Sequence, residues 1–560
     1  MPLSLFVILS VLLIVGVYTF APKLSVSAPL LLVAAGVAIS LARVGPEIHL
    51  EPEWILAGVL PMLLYAASIS MPAMDFRRDF RAISGLSVTL VVWSALALGW
   101  FFSSMIPDLG FAGGVALGAI VSPTDAVATG IVKQLRVAPR AVAVLDGESL
   151  LNDASALVLL RSAIAAIATA VSLWGVAWSF LLSVVIATAI GVGVGYVALR
   201  LRQRMPNPTA NTLLSFVIPY VAYVPAEHLG ASGLVAVVAV GITMGHASPR
   251  FLPPTLRHND EQNWRTVELL LEGALFFLMG LQLVPLLDRV DAGTLGFARA
   301  AMLAGLALGI MLLVRAIWVA LMLQSQRKVR AKWEAALPRF TAMKNELATA
   351  EDSKQTRAGR TRTQRALSDI AFMMQQPLGG KHGVLLVWAG MRGAVTVAAA
   401  QTLPNDMPHR SFLVLTAFLV ATFSLVVQGS TLPWLVKKLG FPPPDPELER
   451  LETESIRVAL EQAAASLLDT ADLKRADGAV FDSELVARVR KFTFAGANEE
   501  QGEQQKAAFE LVKQVLDAQR TQLLQIRTEG TCSSEGLKSA LAKIDAIELS
   551  LFQRNHHQQH

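Results

Sequence analysis

Cysteine and charged residues are the two kinds of residue that this sequence has least of. Its 560 residues include one cysteine, Cys532, which excludes an internal disulfide, a CxxC metal site and an iron–sulfur cluster. Charged residues make up 16% of the chain and hydrophobic residues 53%, whereas soluble proteins average about 25% charged. The charge deficit is concentrated in the first 440 residues. This composition is typical of a polytopic membrane protein with a polar tail.

Metal-binding and export signals are missing as well. The nine histidines show no HExxH or similar spacing, and we expect His556, His557 and His560 to form a solvated terminus. No basic residue precedes the first apolar run, although a cleaved signal peptide normally has one, so residues 3–20 are expected to be a retained span. The net charge of +5 indicates no nucleic-acid partner, because membrane proteins collect Lys and Arg in their cytoplasmic loops.

Long apolar segments are what the sequence has in quantity. Most are about as long as a bilayer core requires, and two are short. Their odd number places the termini on opposite sides. If the N-terminus is outside, the short inward loops carry twelve Lys and Arg and the outward loops three, so we predict a cytoplasmic C-terminus. The thirteen segments are 3–20, 28–42, 54–71, 85–106, 111–132, 142–168, 173–199, 212–224, 228–246, 266–287, 297–323, 383–403 and 411–435.

Two polar regions interrupt or follow the spans. We expect a transmembrane domain over 1–440, with a cytoplasmic insertion at 324–382 that holds twelve Lys and Arg against five acids. A flexible solvated loop is the favoured interpretation of the insertion, and a segment lying on anionic lipid headgroups is the alternative. Residues 445–560 have apolar positions at helical spacing and predict a soluble helical domain. A regulatory or dimer-stabilising role for this tail is a hypothesis, and the sequence indicates no ligand for it.

Ionisable side chains within apolar segments are costly in lipid, so they are usually paired, face a cavity or have a function. The chain has eight of them: Asp125, Glu148, Asp153, Arg161, Glu268, Glu272, Arg315 and Arg392.

Four polar residues cluster in the segment GESLLND. Ser149 and Asp153 are one helical turn apart, as are Glu148 and Asn152. One face therefore presents only oxygen-bearing groups, which suit sodium, lithium or protons rather than metals that prefer thiolates or imidazoles. A polar contact that merely joins two spans is the alternative.

One segment is predicted to be a broken helix, and a second carries a buried charge that needs a partner. Pro123 opposes a regular helix through SPTDA, and the freed carbonyls, with the hydroxyl of Thr124, can bind a cation. A plain proline kink is the alternative. In GMRGAV, Arg392 lies between two glycines and needs a partner, for which Glu148 is the best candidate. Arg392 balancing the charge of the site directly is the other possibility.

Five motifs in this order resemble one family. SPTDAVA, GESLLNDASALV, EHLGASGLVAVVAVGI, LFFLMGLQL and GMRGAVTVA resemble the bacterial sodium/proton exchanger branch of the monovalent cation:proton antiporters, the branch with an Asn-Asp pair and, in some members, a long cytoplasmic tail. The resemblance covers about residues 3–440. It implies thirteen transmembrane helices in two inverted six-helix repeats, with broken helices at SPTDA and MRGAV that cross in mid-membrane. It also implies a homodimer in the bacterial inner membrane, and a transporter without a cofactor rather than an enzyme.

The resemblance also implies roles for individual residues. Asp153 would be the cation and proton carrier. Thr124 and Ser149 would add oxygen ligands for sodium, and Asp125 and Asn152 would orient water and neighbouring groups. Glu148 would pair with Arg392. Related electrogenic exchangers carry an Asp pair, so Asn152 indicates the exchange of one cation per proton.

The sequence departs from the family pattern in the third span. Many relatives carry an acid there, whereas this chain has Ala66 and Ala67. Glu272 stands where relatives often have Asn, and our hypothesis is that it restores an acid to the core.

The expected function is sodium or lithium/proton antiport that serves cytoplasmic pH and sodium homeostasis. A potassium or calcium preference stays open, and a cation channel or ion sensor with a regulatory tail is the alternative from another class. An intramembrane protease is disfavoured because its GxGD context is absent.

Overall fold

The computed structural model shows helices joined by turns and loops in the part of the chain that it describes, and the β-type pairing found there is one isolated bridge between Lys474 and Val480. The prediction of an all-α protein is therefore confirmed. The described residues are 2–24, 26–43, 53–135, 137–168, 173–205, 207–288, 290, 296–443, 445–470, 473–475, 477–491 and 503–557. Arg136 and Arg289, which the count of loop charges includes, and His560 lie outside them.

The helices follow one another with short connections. The first fourteen are α1 (Leu3–Leu24), α2 (Ala28–Ala42), α3 (Leu60–Ser70), α4 (Ala73–Arg78), α5 (Phe80–Ser84), α6 (Leu90–Met105), α7 (Gly110–Val121), α8 (Val127–Gln134), α9 (Pro139–Ala168), α10 (Leu173–Gln203), α11 (Pro208–His228), α12 (Gly233–Phe251), α13 (Pro254–Leu281) and α14 (Leu283–Asp288). The others are α15 (Phe297–Thr349), α16 (Lys354–Gln375), α17 (Gly380–Trp388), α18 (Ala394–Gln401), α19 (Arg410–Leu439), α20 (Pro446–Leu468), α21 (Ser483–Lys491), α22 (Glu503–Glu529) and α23 (Ser534–His557). Wider π-helical turns at Trp54–Val59 and Gly85–Thr89 lead into α3 and α6.

Each of the thirteen apolar segments contains helix, and 111–132, 228–246 and 383–403 also contain non-helical residues. Eight of the described helices are long and apolar enough to cross a membrane, and the chain is a multi-pass membrane protein. Shorter apolar helices cover Ala28–Ala42, Trp54–Ser70 and Gly110–Val121. Large apolar side chains lie exposed along the long helices, such as Leu12 at 61% and Val197 at 68%, as a lipid-facing surface requires.

The chain divides into two compact units. The first contains Leu256–Arg327, Leu378–Pro443 and the chain up to Leu252. Its two large hydrophobic clusters lie around α6, α7, α9 and α17 to α19, and around α3 and α10 to α12. Buried ion pairs between Arg140 and Asp79, at 2.6 Å, and between Arg202 and Asp260, at 2.8 Å, add to its packing. These two arginines, counted among the loop charges, are therefore buried.

The second unit contains Lys328–Pro377 and the chain after Pro444, so the basic insertion groups with the tail. The expectation of a flexible loop at 324–382 is wrong, because the end of α15 and the whole of α16 are helical there. The side chain of Ser353 accepts a hydrogen bond from the Thr356 amide and caps α16. Arg365 Nε donates to the carbonyl of Thr528 in α22, at 2.7 Å. These local bonds order a segment whose charge alone suggested solvation.

Candidate functional site

The two interruptions predicted at SPTDA and MRGAV are both present, and they meet. α7 and α8 are separated by a non-helical stretch around Pro123, and α17 and α18 by one around Arg392. The Asp125 amide donates to the carbonyl of Met391 at 2.7 Å, so one break is hydrogen-bonded to the other. Backbone groups freed from helical bonding are thus held against each other at a buried point of the membrane unit.

The two glycines of the second break make room for side chains from other helices. A Cβ atom on Gly393 would lie 1.4 Å from Asp125 Oδ2, and one on Gly390 would lie 2.6 Å from Arg315 Nε. Neither position can carry a side chain without displacing a charged group. The GMRG sequence is therefore a requirement of close packing around the break.

Glu148 pairs with Arg315 of α15, and the predicted pair with Arg392 is wrong. Arg315 Nη1 donates to Glu148 Oε1 at 2.5 Å and Nη2 donates to Oε2 at 2.8 Å, with both side chains almost fully buried. Arg315 Nε also donates to the carbonyl of Leu386 near the end of α17, at 2.8 Å. This two-pronged geometry holds Glu148 as a fixed, compensated charge.

Arg392 is instead bonded to backbone carbonyls at the first break. Its Nε donates to the carbonyl of Val121 at 3.0 Å, and its Nη2 to that of Ser122 at 3.3 Å. These groups end α7, where carbonyls lack helical partners and carry partial negative charge. The guanidinium therefore neutralises a half-helix end, which explains why it is not bonded to Glu148.

A buried hydrogen-bond network joins α9 to the first break. Thr124 Oγ1 donates to Glu148 Oε1 at 2.9 Å, and Asn152 Nδ2 donates to both the hydroxyl and the carbonyl of Thr124, at 2.6 and 3.0 Å. The predicted stacking of Glu148 on Asn152 thus serves to hold Thr124. Within the described structure, Asn152 Oδ1 is buried and accepts no hydrogen bond.

Asp153 lies outside this network. Its side chain borders a cavity of about 10 Å³ between α7, α9 and α18, and it has no hydrogen bond or ion pair with any described residue. Asp125 is close enough to repel it electrostatically. Ser149 donates to the carbonyl of Asp146 in its own helix, at 3.1 Å. The structure therefore separates the compensated Glu148 from a carboxyl group five residues further along α9 that has no partner among the described residues.

Three other positions singled out from the sequence have different surroundings. Glu272 of α13 is within electrostatic range of Asp125. Ala66 is buried in α3 and leaves the third-span position without an acid. Arg161 pairs with Glu227 at 2.8 Å and is more exposed than its apolar segment suggested.

A family model described as the transmembrane sodium/hydrogen exchanger matches residues 8–438. The chain belongs to the sodium/hydrogen exchanger family. It is similar to YjcE of Escherichia coli, an uncharacterised Na+/H+ exchanger, with 28% identity across 96% of this chain and 97% of that one. It is also 26% identical to a sodium, potassium, lithium and rubidium/H+ antiporter of Bacillus pumilus, over 75% of this chain and 59% of that one.

The fold of this sodium/hydrogen exchanger family member resembles a solved structure. The sodium proton antiporter MjNhaP1 of Methanocaldococcus jannaschii aligns with a TM-score of 0.56 and 16% identity, covering 78% of this chain and 97% of that one. At this identity the likeness concerns the antiporter fold alone.

Two residues of α19 were missed by sequence reasoning in this exchanger. Ser424 Oγ accepts a hydrogen bond from the Arg392 amide at 3.0 Å, and Gln428 Nε2 donates to the carbonyl of Trp388 at the end of α17, at 2.8 Å. Both are buried polar residues one turn apart in an apolar span. That pattern is the signal that could have identified them as partners of the second break.

Proposed function

We propose that the protein exchanges sodium or lithium for protons, one cation per proton, by alternating access. The observation that carries this proposal is the contrast between two neighbouring carboxyl groups of α9. Glu148 is neutralised by Arg315, whereas Asp153 has no partner among the described residues and borders a cavity beside the two breaks. A carboxylate that binds and releases a cation in every cycle cannot also be held in a permanent ion pair, as Glu148 is by Arg315.

The proposed mechanism is competition for Asp153. The carboxylate binds either a proton or a cation, and each of these loaded forms is neutral enough to cross the dry barrier. The empty anion is too costly to move through it, so neither substrate leaks alone. Alternating exposure of the site to the two sides then couples opposite fluxes. Asp125, Ser149 and Thr124 are proposed to complete or orient the oxygen shell around a sodium ion.

Neutrality of the cycle follows from the residue that precedes the carrier. Asn152 adds no charge, and the Glu148–Arg315 pair contributes none in total. Asp153 alone then exchanges one bound proton for one bound monovalent cation. Because the two carry the same charge in opposite directions, the cycle moves no net charge. Each uncompensated charge would instead gain or lose about 2.3 kcal/mol per 100 mV of membrane potential.

The cellular setting is proposed with the function. We propose that the chain lies in a bacterial inner membrane as a homodimer. Its thirteen spans would form two inverted repeats, with the N-terminus outside and the C-terminal domain in the cytoplasm. With an inward proton gradient, the exchange would remove sodium from the cytoplasm and control its pH. The positive-inside distribution of loop charges supports this orientation.

Potassium/proton antiport by the same fold is the second candidate. It is favoured by the similarity to the Bacillus pumilus protein, which is described as acting on potassium as well as sodium and lithium. A cation channel or ion sensor would show flux without proton coupling.

Proton-loaded proteoliposomes with a pH-reporting dye test the proposal. Adding sodium or lithium is expected to restore the quenched fluorescence of the dye promptly. Adding potassium is expected to restore it weakly or not at all. Clamping the membrane potential at zero is expected to leave the initial rate within about 20% of the unclamped rate, because no net charge crosses. Strong voltage dependence would contradict one-for-one exchange, and no response to any cation at pH 6 to 9 would favour the sensor.

A separate prediction concerns Glu272. Replacement of Glu272 by Gln keeps its size and removes an acid within electrostatic range of Asp125. We expect the half-saturating sodium concentration to rise about three- to tenfold, because a nearby negative charge attracts the entering cation. Sodium titrations of the exchange rate at several pH values measure the effect. The same change at exposed Glu334, which pairs with Arg330, is the control. Unchanged sodium dependence and pH profile would rule out the hypothesis for Glu272.

A further inference from the structure

The cavity beside Asp153 has a second polar side chain in its wall. It extends from Asp153 past Ala156 toward Leu160, along the C-terminal half of α9, and α18 closes its opposite side. Thr396 of α18 borders it, and the other lining residues are alanine, proline, leucine, isoleucine or valine. Two oxygen-bearing side chains thus share a space of about 10 Å³, roughly the room that one water molecule needs.

The hydroxyl of Thr396 makes no hydrogen bond with any residue that the structure describes. The residue as a whole is 2% exposed, and the cavity is the space that its side chain borders. Buried Thr416 shows the usual solution, since its hydroxyl donates to the carbonyl of Phe412 one turn earlier, at 2.8 Å. The residue one turn before Thr396 lies outside α18, because that helix begins at Ala394. The Thr396 hydroxyl is therefore available to bind an ion or a water molecule in the cavity.

We propose that Thr396 is a cation-binding residue, whose hydroxyl oxygen binds sodium or lithium together with the Asp153 carboxylate. The inference rests on the proposed function and adds the second broken helix to its binding site. Hard monovalent cations take oxygen ligands, and an apolar cavity of this size holds an ion or a water only where polar groups meet it. When Asp153 is protonated instead, the same hydroxyl can bond to the neutral carboxyl group.

The position of the cavity assigns Thr396 to one half of the transport cycle. In the proposed topology the C-terminal half of α9 leads to the outer face, whereas Glu148 and Ser149 lie on the cytoplasmic side of Asp153. Thr396 is therefore expected to bind the ion while the site faces outward. Loss of the Thr396 hydroxyl is expected to raise the half-saturating sodium concentration at the outer face more than at the inner face.

The experiment uses the full-length protein in proteoliposomes of known orientation, with sodium varied on one side at a time. Thr396→Val, which keeps the shape and removes the hydroxyl, is expected to raise half-saturating outer sodium about tenfold and to change the maximal rate less than about twofold. Thr396→Ser restores wild-type sodium dependence. Thr416→Val, a buried change away from the cavity, is the matched control and leaves it unaltered.

Wild-type outer sodium dependence in Thr396→Val would overturn the proposal. So would an equal loss in the Val and Ser variants, because that pattern indicates a packing role. The rise in melting temperature caused by sodium in detergent is a readout independent of transport, and Thr396→Val is expected to reduce it. If the wild type exchanges no cation, the proposed function fails, and this sodium-induced rise alone decides the role of Thr396.

Discussion

Replacing Asp153 with asparagine is expected to abolish cation/proton exchange, lowering the initial rate about 100-fold or more, because the amide can neither release a proton nor offer a negative charge to a cation. The side chains have nearly the same size, and Asp153 makes no hydrogen bond in the described structure that the amide would break. The folded protein should therefore persist without its activity. The rate is measured as the recovery of dye fluorescence when sodium or lithium is added to proton-loaded vesicles.

The control for this change is Asp288→Asn, an exposed carboxylate that pairs with Arg43 at the surface. It is expected to keep wild-type exchange, since surface pairs contribute little. Retained exchange in Asp153→Asn, with the control also active, would assign the carrier to another acid. Asp125 and Glu272, both within electrostatic range of each other, would then be changed in the same way.

Much of the arrangement around the breaks was accessible from sequence. Pro123 predicts the first interrupted helix, the family resemblance implies the second at MRGAV, and both helices are interrupted. Helical spacing also placed Glu148 above Asn152, and both side chains reach Thr124. These predictions succeeded because backbone rules and one-turn spacing act over a few residues.

Partners distant in the chain could not be chosen from sequence. Glu148 and Arg315 are 167 residues apart, and Arg392 was an equally charged candidate in a glycine-flanked position. The choice depends on which arginine the carbonyls at the end of α7 engage, and those carbonyls become available only when the breaks meet. In the same way, Arg365 is bonded to the carbonyl of Thr528, a contact that a count of basic residues does not reveal.

Replacing Arg315 with methionine is expected to destabilise the protein by about 3–5 kcal/mol and to abolish exchange, because Glu148 is left as an uncompensated buried charge. Methionine fills much of the same volume without a charge. Thermal unfolding of the full-length protein in detergent measures stability, and proteoliposomes measure exchange. Adding Glu148→Gln to Arg315→Met is expected to recover more than half of the lost stability, because the pair then disappears as a unit.

Arg392→Met provides the comparison that identifies the true partner. It too is expected to destabilise the protein, since the carbonyls of Val121 and Ser122 lose their donors. Glu148→Gln should not rescue it, because Glu148 keeps Arg315 in that variant. Comparing Glu148→Gln in the two backgrounds therefore distinguishes the two roles. Arg315 is expected to act as the ion-pair partner of Glu148, and Arg392 as a donor to the carbonyls at the end of α7. Rescue of Arg392→Met, with none of Arg315→Met, would instead restore the pairing of Glu148 with Arg392 that the sequence suggested.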